Sequence, residues 1–469
     1  MSDGDDVRPS VHFTPPVGWM NDPNGLVSVD GEHHLFFQHH PHSTDFAEMH
    51  WGHAVSRDFL TWEHLPTALA PDEHGLIFSG SAVVDRDGTA GFGAGTIVAA
   101  FTYHDIHGPD RDDALESQAI AWSTDGGRTF TKFDGNPVIP VDADRPMSRD
   151  PKVFRYGHGR GEHWVMVLSA TSEIRIFTSD DLRTWELTDA VGDFDDAGMS
   201  LETPDLFPLV ADDGTTHWVL TAGIMRGAPA GGSGTAVLLG DFDGRRFTPL
   251  DAPRWVDHGA NFYAVQSWND VADGRRVWIG WMGNWAEHAP PAPDAVWRGQ
   301  MSVPREVTVR ALGSKYVLEQ RPVRELGQHL GRVGGESAVA GDTHRAWRGR
   351  ALEVTLPLVR DASGRVVASR LGADALVTVD RASGVLTVEI PRAVAGFGPE
   401  PGLVRSVPLP AFDVELCVVL DAASIEVFAG PAAITDALAL DPGEWTVTTV
   451  TLAATASEQH HQGGPTWQP

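Results

Sequence analysis

The sequence predicts an all-β chain, a five-bladed β-propeller followed by a C-terminal β-sandwich, and three observations carry that prediction. First, glycine (50), proline (32) and tryptophan (16) are plentiful in 469 residues, while long helical periodicity is scarce. Short apolar or alternating runs recur instead, such as Thr96–Phe101, Trp164–Leu168 and Val277–Trp281, bounded by Asp-Gly, Gly-Gly and Asn-Pro turn signals. Second, a weak repeat runs through the first part of the chain. Ser56-Arg57-Asp58-Phe59-Leu60-Thr61-Trp62 returns as Ser123–Phe130, as Ser179–Trp185 and, more loosely, as Asp241–Phe247. Each is a strand end, an acidic or glycine turn, and an aromatic residue opening the next strand. A hairpin unit recurring every 55 to 67 residues by position implies radial repetition, and five such units need roughly 300 residues. Third, after Leu326 tryptophan thins out and Val/Leu alternation takes over, as in Leu352–Leu356, Val385–Ile390 and Trp445–Val450. Strands so spaced predict two packed antiparallel sheets.

The expected organisation is therefore a propeller over residues 1–322, a sandwich over 323–456 and a loose polar tail over 457–469. Acidic residues (64) outnumber basic ones (35), a formal net charge of −29. That charge argues against nucleic acid or an anionic membrane as partner. Lysine occurs only at Lys132, Lys152 and Lys315, which fits a salt-tolerant host or a GC-rich genome. The single cysteine, Cys417, excludes an intramolecular disulfide and a Cys-rich zinc site, and reads as a buried strand residue. No apolar run of about 18 residues marks a membrane span. The stretch Met1–Ser10 is acidic and polar rather than basic then apolar. A cytoplasmic protein is expected on that reading, or a secreted one if the sequence has been trimmed.

Three carboxylates have unusual neighbours. Asp22 lies in Trp19-Met20-Asn21-Asp22-Pro23-Asn24-Gly25, Asp150 in Ser148-Arg149-Asp150-Pro151, and Glu202 in Leu201-Glu202-Thr203-Pro204-Asp205. Two are followed directly by proline and the third has proline two residues on; proline disfavours helix in the residue before it, placing such residues on extended strands or their exits. Their separation puts each in a different blade, and propeller inner strands converge on one axis. Carboxyls in different environments at that axis supply the proton and the nucleophile or base that a glycosidic bond requires. Tryptophans stack on sugar faces, and a neutral sugar is not repelled by an acidic protein.

These segments resemble glycoside hydrolase family 32, the β-fructosidases. The likeness begins at Trp19–Gly25 and continues through Phe36-Phe37-Gln38, Trp51-Gly52-His53, Phe78–Ser81, Arg149-Asp150-Pro151, Glu202–Phe207, Phe262-Tyr263-Ala264, Gly280–Trp285 and Arg298–Glu306. Past the boundary, Val419–Phe428 resembles the family's sandwich. The resemblance implies a retaining enzyme that releases fructose from terminal β-fructofuranosides such as sucrose, fructo-oligosaccharides, levan or inulin. It implies Asp22 as nucleophile, Glu202 as acid/base, and Asp150 as an ionised partner of fructose hydroxyls. Asn21, Gln38, Trp51, Phe78, Ser79, Arg149, Tyr263 and Trp285 would bind substrate, with Arg149 also pairing with the site carboxylates. Retention implies a nucleophile-to-acid separation of about 5–5.5 Å. No metal or cofactor is expected. The Gly280–Trp285 segment is of the type found in bacterial fructan-degrading members.

Two positions depart from the family pattern. Thr203 stands where a cysteine usually follows the acid/base, and its hydroxyl is expected to shift the Glu202 proton affinity. Asn261 stands where the family commonly has aspartate at the pocket edge. The histidines His33, His34, His39, His40, His42, His50 and His53 do not follow a metal-binding spacing, and Gly231-Gly232-Ser233-Gly234 reads as a flexible loop. The alternatives are a fructosyltransferase or difructose-anhydride-forming enzyme on the same site, and a non-catalytic fructan-binding protein.

Overall fold

The computed structural model describes residues 8–452 apart from 106–114, 158, 160, 193, 195–199, 287–295, 333–335, 340–345, 359–362, 371–372, 381–382, 392–401, 410–411 and 439–443. The tail expected over 457–469 lies outside the described residues. Up to Pro322 the strands form five antiparallel sheets. Each begins with a strand that packs beside the first strand of the next sheet: Gly18–Val29, Leu76–Asp85, Ser148–Tyr156, Leu201–Val210 and Tyr263–Ser267. The fifth returns to the first. These are the inner strands of the five-bladed propeller. The short strand Trp297–Arg298 lies parallel to Gly18 and Trp19, tying the start of the chain to the last blade.

The repeat read from the sequence is one turn used four times. In each of the first four sheets an aspartate between the third and fourth strands accepts backbone N–H bonds from the residues that follow it. Asp58 takes Leu60 and Thr61, Asp125 takes Arg128 and Thr129, Asp181 takes Arg183 and Thr184, and Asp243 takes Arg245 and Arg246. In the first three a serine at the strand end closes the turn by bonding the aspartate side chain. A short carboxylate mimics a backbone turn in this way, which is why Asp recurs there.

Beyond the helix Leu326–Arg332, a five-stranded and a six-stranded sheet form the sandwich. The strand Val414–Asp421 shows how it is built. Leu416, Val418 and Leu420 face the core between the two sheets, while Cys417 and Val419 face a cluster shared with propeller residues such as Trp268 and Val303. Cys417 is thus a buried strand residue, as expected, and burial pushes its thiol well up.

The seam between propeller and sandwich is polar at its centre. Arg305, fully buried, donates to Glu426 (2.6 Å), Thr435 (2.6 Å), Asp257 (3.1 Å) and Gln320 (2.8 Å), with its guanidinium over the Phe262 ring. His12 bridges Asp421 (2.9 Å) and Glu426 (2.8 Å). Burial alone would lower the His12 value, but the two carboxylates raise it to about 9. Removing one partner from such a network strands buried charge. Arg305→Ala is expected to cost about 3–5 kcal/mol, read as a lower denaturant midpoint. Because the folded-state value of His12 is raised, its contribution is complete below the ordinary histidine range and is lost as pH rises through about 9. The thermal midpoint should fall between pH 7 and 9.5, and less steeply in His12→Gln.

Candidate active site

Every inner strand breaks its ladder register at one end of the hub. Asn21 and Asp22 lie in the break between Met20 and Pro23, and Ser79 between Phe78 and Gly80. Pairing between the third inner strand and its neighbour skips Asp150 and Pro151, which fall between the paired residues Arg149 and Lys152. Thr203 and Pro204 lie between Glu202 and Asp205, and Ala264 and Val265 between Tyr263 and Gln266. Asp150, Thr203 and Ala264 have φ of 66°, 45° and 52°. A bulge turns side chains away from strict alternation and leaves ladder positions unpaired, where proline's missing N–H does no harm. The prolines noted in the sequence therefore mark bulges inside strands rather than strand exits.

The bulges bring the carboxylates together. Asp22 accepts from Asn21 Nδ2 (2.9 Å) and from Ser79 Oγ (2.9 Å), with Trp19 Nε1 fixing the Asn21 amide at 2.8 Å. Glu202 accepts from Arg149 Nη2 (2.7 Å) through one oxygen and from the Tyr263 hydroxyl (2.6 Å) through the other. Asp150 accepts the Thr203 N–H at 2.9 Å, and Arg149 Nε stands 4.0 Å from it. Burial, helped by the nearby charge of Glu202, pushes Asp22 up to about 6. Burial also pushes Asp150 well above the ordinary carboxylate range, against the pull of Arg149. That works against the expected ionised Asp150. Arg149 is held firmly charged by Glu116, Glu202 and Asp150 although burial opposes it.

Other expected residues stand around this group. Gln38 donates its amide to the Asn24 side-chain oxygen at 3.0 Å once the Asn24 amide is oriented to suit its neighbours. Trp51 is fully buried, one layer behind the wall, where its indole N–H holds the Phe78 carbonyl at 3.0 Å. Phe78 and Trp285 each meet Phe46 edge-on, at 6.4 and 5.5 Å between ring centroids. Phe46 is 44% exposed and completes an aromatic rim that also includes Trp19 and Trp281. Sequence reasoning passed over Phe46, since it sits in a loop of no pattern. It also missed Glu116, which accepts from Arg149 Nη1, and Ser200, which accepts from the same Nη2 that reaches Glu202.

Two expectations are corrected and one departing position is placed. The Thr203 hydroxyl makes no hydrogen bond among the described residues, so it does not touch Glu202; Thr203 acts through its backbone N–H on Asp150. Asn261 is a seam residue, its amide oxygen accepting from Ala437 N at 2.9 Å. The glycine-rich segment is pinned: Asn284 accepts from Ser233 N (3.1 Å) and donates to Gly231 O (3.0 Å). A side chain at Gly232 would run into Asn284. The histidines are engaged locally. His34 and His53 bond each other at 3.0 Å, His33 bonds Ser28, and His39 and His40 bond backbone carbonyls.

The family model for the glycosyl hydrolases family 32 N-terminal domain matches residues 12–322. The chain is 46% identical over 333 residues to a levanase of Bacillus subtilis, covering 69% of this chain and 48% of that protein. It is 38% identical over 348 residues to an extracellular exo-inulinase of Aspergillus awamori, covering 67% and 64%. The chain thus spans about half the length of the levanase and under two thirds of the inulinase. Among solved structures, the exo-inulinase of Aspergillus awamori superposes with a TM-score of 0.78 at 29% identity over 96% of both chains. A β-fructofuranosidase of Schwanniomyces occidentalis complexed with fructosyl-erythritol gives 0.76 at 26%, over 97% and 96%. With the family match running through the very strands that carry Asp22, Asp150 and Glu202, the chain belongs to glycosyl hydrolase family 32.

Proposed function

We propose that the protein is a retaining, exo-acting β-fructosidase that releases fructose from terminal β-fructofuranosides: sucrose, fructo-oligosaccharides, levan or inulin. The observation that carries the reading is the gathering of Asp22, Asp150 and Glu202 at one hub, each held by a different set of donors. The relatives' names, levanase and exo-inulinase, support the same substrate class. They favour hydrolysis over the transferase and binding-protein readings.

In this mechanism Asp22 attacks the anomeric carbon of the fructosyl unit. Asn21 and Ser79 aim its carboxylate. Glu202 gives a proton to the departing oxygen, then takes one from the water that releases the sugar. Arg149 and Tyr263 fix both oxygens of Glu202, so its orientation is set before substrate arrives. Asp150 bonds fructose hydroxyls and holds the ring in place as the oxocarbenium-like transition state forms. The aromatic rim of Phe46, Phe78 and Trp285 receives the sugar's apolar faces.

Incubation with sucrose, inulin and levan, followed by product analysis, tests this reading. Free fructose should appear as the first product, and its absence from all three would refute the proposal. Asp22→Ala and Glu202→Ala should each lower kcat by several orders of magnitude. The nucleophile must be ionised, so kcat/KM should fall as pH drops below about 6, the value to which Asp22 is raised in the free protein. A pH–rate profile on sucrose checks that limb.

A further inference from the structure

Arg149 carries one positive charge and faces three carboxylates: Glu202 at 2.7 Å, Glu116 at 3.4 Å through both oxygens, and Asp150 at 4.0 Å. Glu202 and Asp150 belong to the chemistry proposed above. Glu116 does not. It lies in the strand Leu115–Ser123 of the second blade, outside every motif, with its side chain fully buried. A buried carboxylate costs several kcal/mol unless its charge is matched, so its position calls for a physical reason. Its other partner is His104, directly opposite on the neighbouring strand, with Nδ1 at 3.1 Å. The His104 ring in turn lies flat against Phe78, at 3.9 Å between centroids and 9° between planes. One line of contact therefore runs from a wall of the sugar site to the acid/base: Phe78, His104, Glu116, Arg149, Glu202 and Tyr263.

We propose that Glu116 is a positioning residue for Glu202, acting through Arg149: it fixes one edge of the guanidinium and draws off part of its charge, while His104 holds Glu116 from the other side. The proposal rests on Glu202 being the acid/base. Without Glu116, Arg149 would present its whole charge to Glu202 and would also lose its lateral anchor. Among the described residues, the charged and titratable groups facing the line are His104 and Arg149 around Glu116; Glu202, Asp150 and Glu116 around Arg149; and Tyr263, Arg149, Asp22 and Asp150 around Glu202. Removing the negative charge of Glu116 leaves less to hold a proton on Glu202. The alkaline limb of activity, which reports loss of that proton, then moves to lower pH. Removing His104 acts in the opposite sense, because Glu116 loses its second partner and leans harder on Arg149.

The test compares wild type with Glu116→Gln, Glu116→Asp and His104→Phe in two readouts. One is kcat/KM for sucrose against pH. The other is the carbon-13 titration of the Glu202 carboxyl by NMR, which reports the same proton without turnover. Glu116→Gln should lower the alkaline limb and the Glu202 midpoint by about half a unit or more, with kcat falling and KM little changed. Glu116→Asp should restore both toward wild type, and His104→Phe should raise them. If Glu116→Gln fails to fold by circular dichroism, the displacement in His104→Phe decides alone. An unmoved Glu202 midpoint in the folded variants overturns the proposal. Failure to release fructose from any substrate would instead overturn the functional reading, while the NMR arm still judges Glu116.

Discussion

The inner strands belong to five different sheets and share no ladder with one another, so, apart from a short backbone bridge from Leu26 and Ser28 to Asn269, what fixes the hub is a set of side-chain bridges between them. Ser81 donates to Pro151 O and accepts from Val153 N, joining the second and third inner strands. Thr102 accepts the Asp150 N–H from a neighbouring blade. Gln266 donates to the carbonyls of Thr203 and Pro204. Lys152 reaches Asp205 at 3.0 Å and Ser267 O at 2.6 Å, and Asn269 ties Ala82 O to Val153 O. A buried bridge of this kind is costly when half made and rigid when complete. The relative placement of Asp22, Asp150 and Glu202 is therefore set below the site, by groups that take no part in its chemistry.

The bulges explain why such bridging is required. Asp150, Thr203 and Ala264 sit at positive φ, a conformation that costs a residue with a side chain of order 1–3 kcal/mol. Left alone, each strand would relax into regular pairing, and its functional side chain would swing to the other face. Bonds made at the bulges oppose that relaxation. The Thr203 N–H, freed from the ladder, goes to Asp150, and the Asp150 N–H goes to Thr102. The same irregularity that aims a carboxylate thus releases the donor that holds its neighbour.

This also marks how far the sequence can be read. Asp58, Asp125, Asp181 and Asp243 announced the blades because one turn solves one local problem and leaves the same residues each time. Asp22, Asp150 and Glu202 stood out because proline one residue on (Asp22, Asp150) or two residues on (Glu202) is rare in a strand outside a bulge. Glu116 and His104 left no trace, since alternation in a strand predicts which face a residue takes and not what waits across the hub. The partner of Asn261 was hidden for a related reason: its amide oxygen is bonded by Ala437 N, 176 positions away. Asp421 and Glu426 belonged to a segment noticed only for its resemblance, and their work is in the seam, through His12 and Arg305.

On the proposed reaction, the imbalance of charge at the hub has two consequences that are one. Glu202, Glu116 and Asp150 face a single guanidinium, and Asp22 adds a fourth carboxylate beside Glu202 and Asp150. An uncompensated excess of carboxylate favours keeping a proton in the group, which is what an acid catalyst needs. The same excess favours positive charge arriving on the sugar, which is what an oxocarbenium-like transition state brings. A second arginine in the hub would lower both benefits together by neutralising the excess. Removing Arg149 would leave the carboxylates to repel one another and lose their aim. A net charge of −29 over the whole chain is no obstacle to binding, because the ground-state sugar is neutral and its attraction to the hub grows only as the bond breaks.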